Sequence, residues 1–75
     1  MSLTVQPRRT PLRVTAVRGL GAIATRLMEL GFIEGAHVEI LGQAPLGGPL
    51  QLRVGGSVLS VRRCDADLVD AAIAR

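Results

Sequence analysis

Residues 50–62, Leu50-Gln51-Leu52-Arg53-Val54-Gly55-Gly56-Ser57-Val58-Leu59-Ser60-Val61-Arg62, predict a β-hairpin. Apolar and polar residues alternate on both sides of the Gly-Gly pair, and a two-residue loop of this kind favours a primed turn. Such a turn sets Val54 opposite Ser57 and Leu52 opposite Leu59. One face of the hairpin then carries Leu50, Leu52, Leu59 and Val61, and the other carries Gln51, Arg53, Val58 and Ser60. The turn and the alternation agree on a single register, which makes the hairpin the most specific local prediction.

The residues before the hairpin predict a strand and a short helix. Leu12 to Val17 alternates and is rich in β-branched residues, which is typical of a strand. Ala22 to Leu30 is predicted to be helical, and its apolar stripe consists of Ile23, Leu27 and Leu30. Arg26 can pair with Glu29 on the other side of this helix. The helix is too short to be stable alone, so packing must hold it.

Glycines and the termini complete the predicted order of elements. Gly31 is placed to end the helix in a left-handed conformation, with Phe32 folding back over the last turn in a Schellman motif. Val38 to Leu41 is predicted as a second strand. A loop rich in Gly and Pro follows over Gln43 to Pro49. Several short strands, one helix and many glycine turns favour a small, partly open barrel, which makes the fold mainly β.

The two ends of the chain give weaker signals. Residues 1–10 are poor core formers and are predicted to be a flexible, arginine-containing tail, which leaves residues 11–75 as one small domain. Cys64 to Arg75 fits either a helix or a weak final strand, and its Ala and Asp residues favour the helix by propensity.

Length and composition favour a binding or regulatory protein over an enzyme. A chain of 75 residues forms one domain, and a domain of that size has little room for a catalytic cleft beside its core. Hydrophobic residues make up 48% of the chain and Phe32 is its only aromatic residue, so the core must be aliphatic. No apolar run approaches the roughly 18 residues that span a bilayer. The absence of a signal-peptide pattern and the lone Cys64 indicate a cytoplasmic location.

Positive charge is concentrated in the first third of the chain. The net charge is +3, every basic residue is Arg, and residues 1–26 contain no acid. Such an asymmetry fits contact with nucleic acid, anionic lipid or an acidic partner, and it also fits a solvated surface. Single-stranded nucleic acid and proline-rich peptides are usually bound by several aromatic side chains, and this chain has no Trp, no Tyr and a single Phe.

Three segments resemble the FeoA domains of bacterial ferrous-iron transport. They are Arg26 to Gly35 (RLMELGFIEG), Gln43 to Leu50 (QAPLGGPL) and Val54 to Ala66 (VGGSVLSVRRCDA). They occur in the family's order and spacing, and the resemblance covers about residues 12–70. It implies a small Src-homology-3-like (SH3-like) barrel with a short helix inserted after the first strand. It also implies a role beside FeoB, the membrane iron transporter, and the same fold recurs in iron-dependent repressors.

The sequence contains no convincing metal or catalytic motif. His37 and Cys64 are far apart, and neither lies in a cluster with ligand spacing. The acidic group Asp65, Asp67 and Asp70 fits a solvated face. Gly19-Leu20-Gly21 precedes the helix without the remainder of a phosphate-binding motif. We therefore predict no catalytic residue, no cofactor and no tight iron site in one chain.

A protein-interaction surface is the remaining kind of site. The candidate contact residues are Arg18, Arg26, Met28, Leu41, Leu46, Gly47 and Gly48. Leu46 could instead cover one end of the barrel, and that alternative stays open at this point. The function expected is that of a cytoplasmic, non-enzymatic accessory protein that docks on a FeoB-type transporter and modulates it. The alternative is a nucleic-acid-associated or repressor-type regulatory barrel acting through the arginine-rich N-terminal half.

Overall fold

A computed structural model describes residues 1–74 and shows a mainly β fold. Five strands form one antiparallel sheet, and their bounds are β1 Leu12–Val17, β2 His37–Gln43, β3 Leu50–Val54, β4 Ser57–Val61 and β5 Val69–Ile73. The order across the sheet is β4-β3-β2-β1-β5. Helix α1, Gly21–Glu29, follows β1, and a single-turn helix α2, Arg63–Ala66, follows β4. The predicted helix after the first strand is confirmed, and the sheet is open, with β4 and β5 at its two edges.

The hairpin forms in the predicted register. Val54 lies opposite Ser57, Leu52 opposite Leu59, and Leu50 opposite Val61. In the loop only Gly55 has a positive φ, 59°, which is the pattern of a type II′ turn. Leu52 is fully buried, so the face predicted to be apolar does point into the core.

Helix α1 ends in the predicted Schellman motif. Gly31 has a φ of 110°, its N–H donates to the Met28 carbonyl at 3.0 Å, and the Phe32 N–H donates to the Leu27 carbonyl at 3.0 Å. Phe32 is fully buried beside the aliphatic core. The reversal of the chain therefore fixes α1 over the sheet through Leu27 and Phe32, the only aromatic residue of the chain.

The prediction of a flexible tail over residues 1–10 is wrong. Leu3–Val5 form one turn of 3-10 helix, and the Leu3 side chain is 0% exposed. Ser2 pairs with Asp70 of β5, and the Arg9 N–H donates to the Ile40 carbonyl at 2.8 Å. The segment is ordered because one leucine fills the core and the backbone bonds to the sheet on both sides of it.

The C-terminal segment divides into both of the elements that its sequence fits. The helical part is only α2, and Val69–Ile73 then form β5 along β1, with Val17 opposite Val69 and Leu12 opposite Ile73. From Val69 onward, tertiary contacts override the helix propensity of Ala and Asp. Strand β1 is a long pairing partner, and the side chains of Val69 and Ala71 are buried in the core.

The core lies between the curved sheet, α1 and the N-terminal turn. Its buried side chains are Leu3, Leu12, Val14, Leu27, Phe32, Val38, Ile40, Leu50, Leu52, Val54, Val61, Ala66, Val69 and Ala71. Every one except Phe32 is aliphatic, as the composition predicts. Strand β2 is longer than predicted and carries a register shift between Ile40 and Gly42, as a β-bulge produces.

Candidate interaction site

The β2–β3 loop, residues 44–49, is held closed by hydrogen bonds. The Ala44 N–H donates to the Pro49 carbonyl at 3.0 Å, and the Gly48 N–H lies 3.2 Å from the carbonyls of both Ala44 and Pro45. The Gln43 side chain adds a bond to the Gly48 carbonyl, with an Nε2–O distance of 3.1 Å. These bonds give the loop one shape, although much of its surface faces solvent.

Leu46 lies at the tip of this loop in a left-handed conformation. Its φ is 62°, the following Gly47 has a φ of 72°, and the Leu46 side chain is 105% exposed. A leucine gains nothing in folding at such a position, because its side chain buries no surface and its backbone is strained. The alternative in which Leu46 covers the end of the barrel is therefore wrong.

Gly48 allows the loop to close. A Cβ added there would lie 2.7 Å from the Cβ of Ala44 and 3.2 Å from the Pro45 carbonyl oxygen. Glycine at position 48 is thus required by close approach rather than by a positive φ. The three candidates Leu46, Gly47 and Gly48 form one structural unit, in which two glycines shape the turn that presents the leucine.

The two candidate arginines are engaged inside the molecule. The Arg18 Nε lies 3.1 Å from a carboxylate oxygen of Asp70, and its Nη2 donates to the Asp67 carbonyl. The Arg26 Nη2 lies 3.1 Å from Asp65, so Arg26 pairs across the fold instead of with Glu29 as predicted. Both guanidinium groups fasten the C-terminal segment to the elements before it, and neither hydrogen-bonds to the β2–β3 loop within residues 1–74.

A second exposed apolar surface surrounds α1. Met28, a predicted contact residue, is 55% exposed. Two further exposed residues, Leu20 and Ile33, were missed by the sequence prediction. Leu20 is 87% exposed and occupies the N-cap position of the helix. Leu30, predicted to belong to the buried stripe, is also exposed, because the short helix turns only Leu27 fully inward. The remaining candidate, Leu41, is half-buried in β2.

Asp67 anchors the N-terminal segment. The Thr4 hydroxyl donates to its carboxylate at 3.2 Å, and the Ser2 and Thr4 hydroxyls bond to each other at 2.9 Å. Hydrogen bonds from Ser2 and then Thr4, with a smaller contribution from the charge of Arg18, lower the pKa of the Asp67 carboxyl. The acidic side chain therefore has a structural role in the described part of the chain.

Comparison with known proteins decides the family. The family model of the FeoA domain matches residues 1–71 of this chain, which is nearly its whole length. The chain belongs to the FeoA family. The match begins at residue 1, so the N-terminal segment that packs Leu3 into the core lies inside the FeoA domain.

Three relatives show how closely this FeoA domain follows the family. A Porphyromonas gingivalis protein, the Fe(2+) transport protein A/Fe(2+) transporter FeoB fusion protein, is 32% identical over 57 residues, covering 76% of this chain and 7% of the fusion. Iron(II) transport protein A from Clostridium thermocellum has a TM-score of 0.90 at 29% identity, over 97% of this chain and 45% of that one. Stenotrophomonas maltophilia FeoA, solved with zinc and described as a prokaryotic SH3 domain protein, has a TM-score of 0.82 at 37% identity, over 96% and 89% of the chains.

The possible metal ligands of this FeoA domain lie apart from one another in the part of the chain that the structure describes. Within residues 1–74, no three side chains of His, Cys, Asp or Glu come together as a possible metal site. His37 is exposed on β2 opposite Arg13, and Cys64 is exposed on α2. The absence of tight iron binding by a single chain stays a prediction.

Among the described residues, no helix is long and apolar enough to cross a membrane.

Proposed function

We propose that this FeoA domain is a cytoplasmic accessory protein of ferrous-iron transport that docks on the cytoplasmic portion of a FeoB-type transporter through the β2–β3 loop. The observation that carries the proposal is Leu46, a fully exposed leucine held at a φ of 62° in a loop closed by hydrogen bonds. Membership of the FeoA family supports a role in ferrous-iron transport.

The choice of partner rests on the Porphyromonas gingivalis relative. That protein joins a FeoA-like part and a FeoB transporter in one chain. Two functions carried on one polypeptide are held at a high effective concentration, which is of use when the two parts bind each other. Where FeoA and FeoB are on different chains, the association depends on affinity alone, and a preformed apolar contact would supply that affinity.

The loop suits docking because its shape exists before the partner arrives. A flexible loop loses conformational entropy when it binds, and this loop has already lost it through the bonds of Ala44, Gly48 and Gln43. Burial of one leucine side chain contributes about 1.5–3 kcal/mol. Leu46 is thus suited to fill an apolar pocket on the partner.

Docking alone can modulate transport without any catalytic step by FeoA. A bound protein shifts a conformational equilibrium only by its difference in affinity for the two states. The proposed mechanism is therefore tighter binding of the Leu46 loop to one conformation of the transporter than to the other.

The test is ferrous-iron uptake in cells that carry Leu46→Asp as their only FeoA. We expect uptake to fall to the level of a strain without FeoA, because a carboxylate cannot enter an apolar pocket at low cost. Leu20→Asp is the matched control, since Leu20 is equally an exposed leucine and Asp is favoured at the N-cap position it occupies. Normal uptake with a folded Leu46→Asp protein would contradict the proposal.

A further inference from the structure

The two edges of the sheet are treated differently in this molecule. Along β5 the N-terminal segment covers the edge: Ser2 pairs with Asp70, the Ala71 N–H donates to the Met1 carbonyl at 2.8 Å, and the Gln6 side chain donates to the Ala71 carbonyl at 2.7 Å. At the other edge, β3 is the one strand among residues 1–74 that pairs with β4. No comparable cover lies on β4 within residues 1–74.

The hairpin register shows which backbone groups of β4 face outward. Val54 and Ser57 close a two-residue loop, so this pair exchanges hydrogen bonds, and so does every second pair after it. Leu59 and Val61 therefore bond to β3, whereas the N–H and C=O groups of Val58 and Ser60 point away from the sheet. Neither residue makes a backbone hydrogen bond outside the sheet in the described part of the chain.

Strand β4 also lacks the features that normally keep edge strands apart. Residues 57–61 contain no proline and no charge, and their pairing with β3 runs without a bulge. Ser57 and Ser60 are small and exposed, and Val58 is 62% exposed beside them. An extended backbone can therefore approach β4 without steric obstruction.

The charge at the end of this edge indicates what kind of segment fits. Arg62 continues the extended backbone beyond β4, with a φ of −57° and a ψ of 143°, and its exposed side chain forms no ion pair within residues 1–74. Arg53 of β3 lies opposite Val58, and its positive charge is partly neutralised by Glu39, whose Oε1 lies 3.4 Å from the Arg53 Nη1. The edge is thus positive at one end and carries no acid of its own. A second copy of this chain, with a net charge of +3, would bring more positive charge to it.

We propose that β4 is a docking edge for an extended, acidic segment of a partner protein, which adds a sixth strand beside Val58 and Ser60 and places a carboxylate against Arg62. Backbone hydrogen bonds supply the affinity and the arginine supplies the preference for acid. This site is separate from the β2–β3 loop and does not depend on the docking of Leu46.

The experiment follows the backbone amide signals of the full-length labelled protein by NMR as an acetylated peptide, Glu-Thr-Val-Thr-Val-Thr-Glu amide, is added. We expect saturable shift changes at residues 57–62 and slower hydrogen exchange at Val58 and Ser60. A peptide with lysine in place of both glutamates should bind more weakly. Arg62→Gln should weaken binding of the acidic peptide by about two- to five-fold, the contribution of an exposed ion pair.

Two variants at one position separate the backbone from the side chain. Val58→Pro removes the outward N–H and no bond of the sheet, so we expect binding to fall by about ten-fold or more. Val58→Thr keeps the N–H and should bind like the natural protein. Should the proline variant fail to fold, Ser60→Pro makes the same test at the second outward amide, and Arg62→Gln tests the charge.

Several results would overturn the proposal. They are shift changes away from β4, equal binding of the lysine peptide, and unchanged binding by a folded Val58→Pro protein. Broadening of the β4 signals with protein concentration in the absence of peptide would identify a second copy as the occupant instead. Leu46→Asp should bind the peptide normally, so a failure of the proposed transporter contact is distinguishable from a failure at this edge.

Discussion

At position 46 the chain keeps a leucine where asparagine would adopt the same backbone at lower cost. A left-handed conformation costs an ordinary residue about 1–2 kcal/mol, and asparagine tolerates it better. Because the Leu46 side chain buries nothing, we expect Leu46→Asn to raise the free energy of unfolding by about 0.5–1 kcal/mol, measured by urea denaturation.

The neighbouring glycine provides the control for this prediction. Gly47→Ala forces a Cβ into the same region of φ and should lower the free energy of unfolding by about 1–2 kcal/mol. A Leu46→Asn protein less stable than the natural one would show that the leucine contributes to folding, and the argument for a binding role at this residue would be lost.

Asp67 gives a prediction about pH at the same scale. Its pKa is lowered in the folded protein, so the charged carboxylate stabilises the fold above its ordinary pKa of 3.8, and this contribution is lost as the pH falls through the lowered value. Thr4→Val removes one hydroxyl donor and should raise the Asp67 pKa, as followed by NMR titration of the carboxyl carbon. The control is Thr25→Val. The Thr25 hydroxyl donates to the Gly21 carbonyl on α1, so its removal should leave the Asp67 pKa unchanged.

Among the elements, the N-terminal turn is the one that most needs an experiment. Leu3 is fully buried, so Leu3→Ala should cost about 2–4 kcal/mol of a total stability of about 5 kcal/mol or more. Val5→Ala in the same turn removes an exposed side chain and should change the stability by less than about 0.5 kcal/mol. Small, equal losses in both variants would mean that residues 1–6 do not pack on the sheet in solution.

Local signals in the sequence predicted the elements that depend on near neighbours. The hairpin over residues 50–62 needs only its own alternation and loop, and the end of α1 needs only Gly31 and Phe32. Leu3 gave no such signal, because a single leucine among polar residues has no period. Strand β5 was ambiguous because its partner β1 lies more than 50 residues earlier in the chain, beyond the reach of local propensity.

For the candidate site, the sequence predicted the exposed loop but not its backbone conformation or the ion pairs of the arginines. A segment rich in Gly and Pro indicates an exposed turn, and in the structure Leu46 lies at the tip of that turn. The left-handed backbone of that residue could not be foreseen, since leucine disfavours it. The ion pairs of Arg18 with Asp70 and of Arg26 with Asp65 join residues 52 and 39 positions apart, so sequence spacing gave no reason to expect them.

At the scale of the whole molecule, ferrous iron is the cargo of the transport system and not a ligand of this chain in our account. His37 and Cys64 lie on different elements without a third ligand among residues 1–74. Anaerobic calorimetry of the purified protein should show no stoichiometric site of micromolar affinity. A site of that strength that disappears in His37→Ala or Cys64→Ser would contradict this prediction and identify the ligands.

The rival role, binding of nucleic acid, differs from transporter docking in its dependence on salt. Arg8, Arg9 and Arg13 are exposed and form no ion pair in the described part of the chain. Phosphate contacts by such residues release counterions, so affinity would fall steeply as salt rises. An apolar contact through Leu46 tolerates moderate salt, because burial of a leucine depends little on ionic screening.

Calorimetric titration of the full chain into the cytoplasmic portion of the FeoB-type transporter of the same cells tests the central claim most directly. We predict saturable binding that changes little between ~0.05 M and ~0.5 M salt, and that weakens by about ten-fold or more in Leu46→Asp. Leu20→Asp, and an Arg8, Arg9 and Arg13 to Gln triple variant, should bind like the natural protein. No binding by the natural protein, or equal binding by a folded Leu46→Asp protein, would contradict the account.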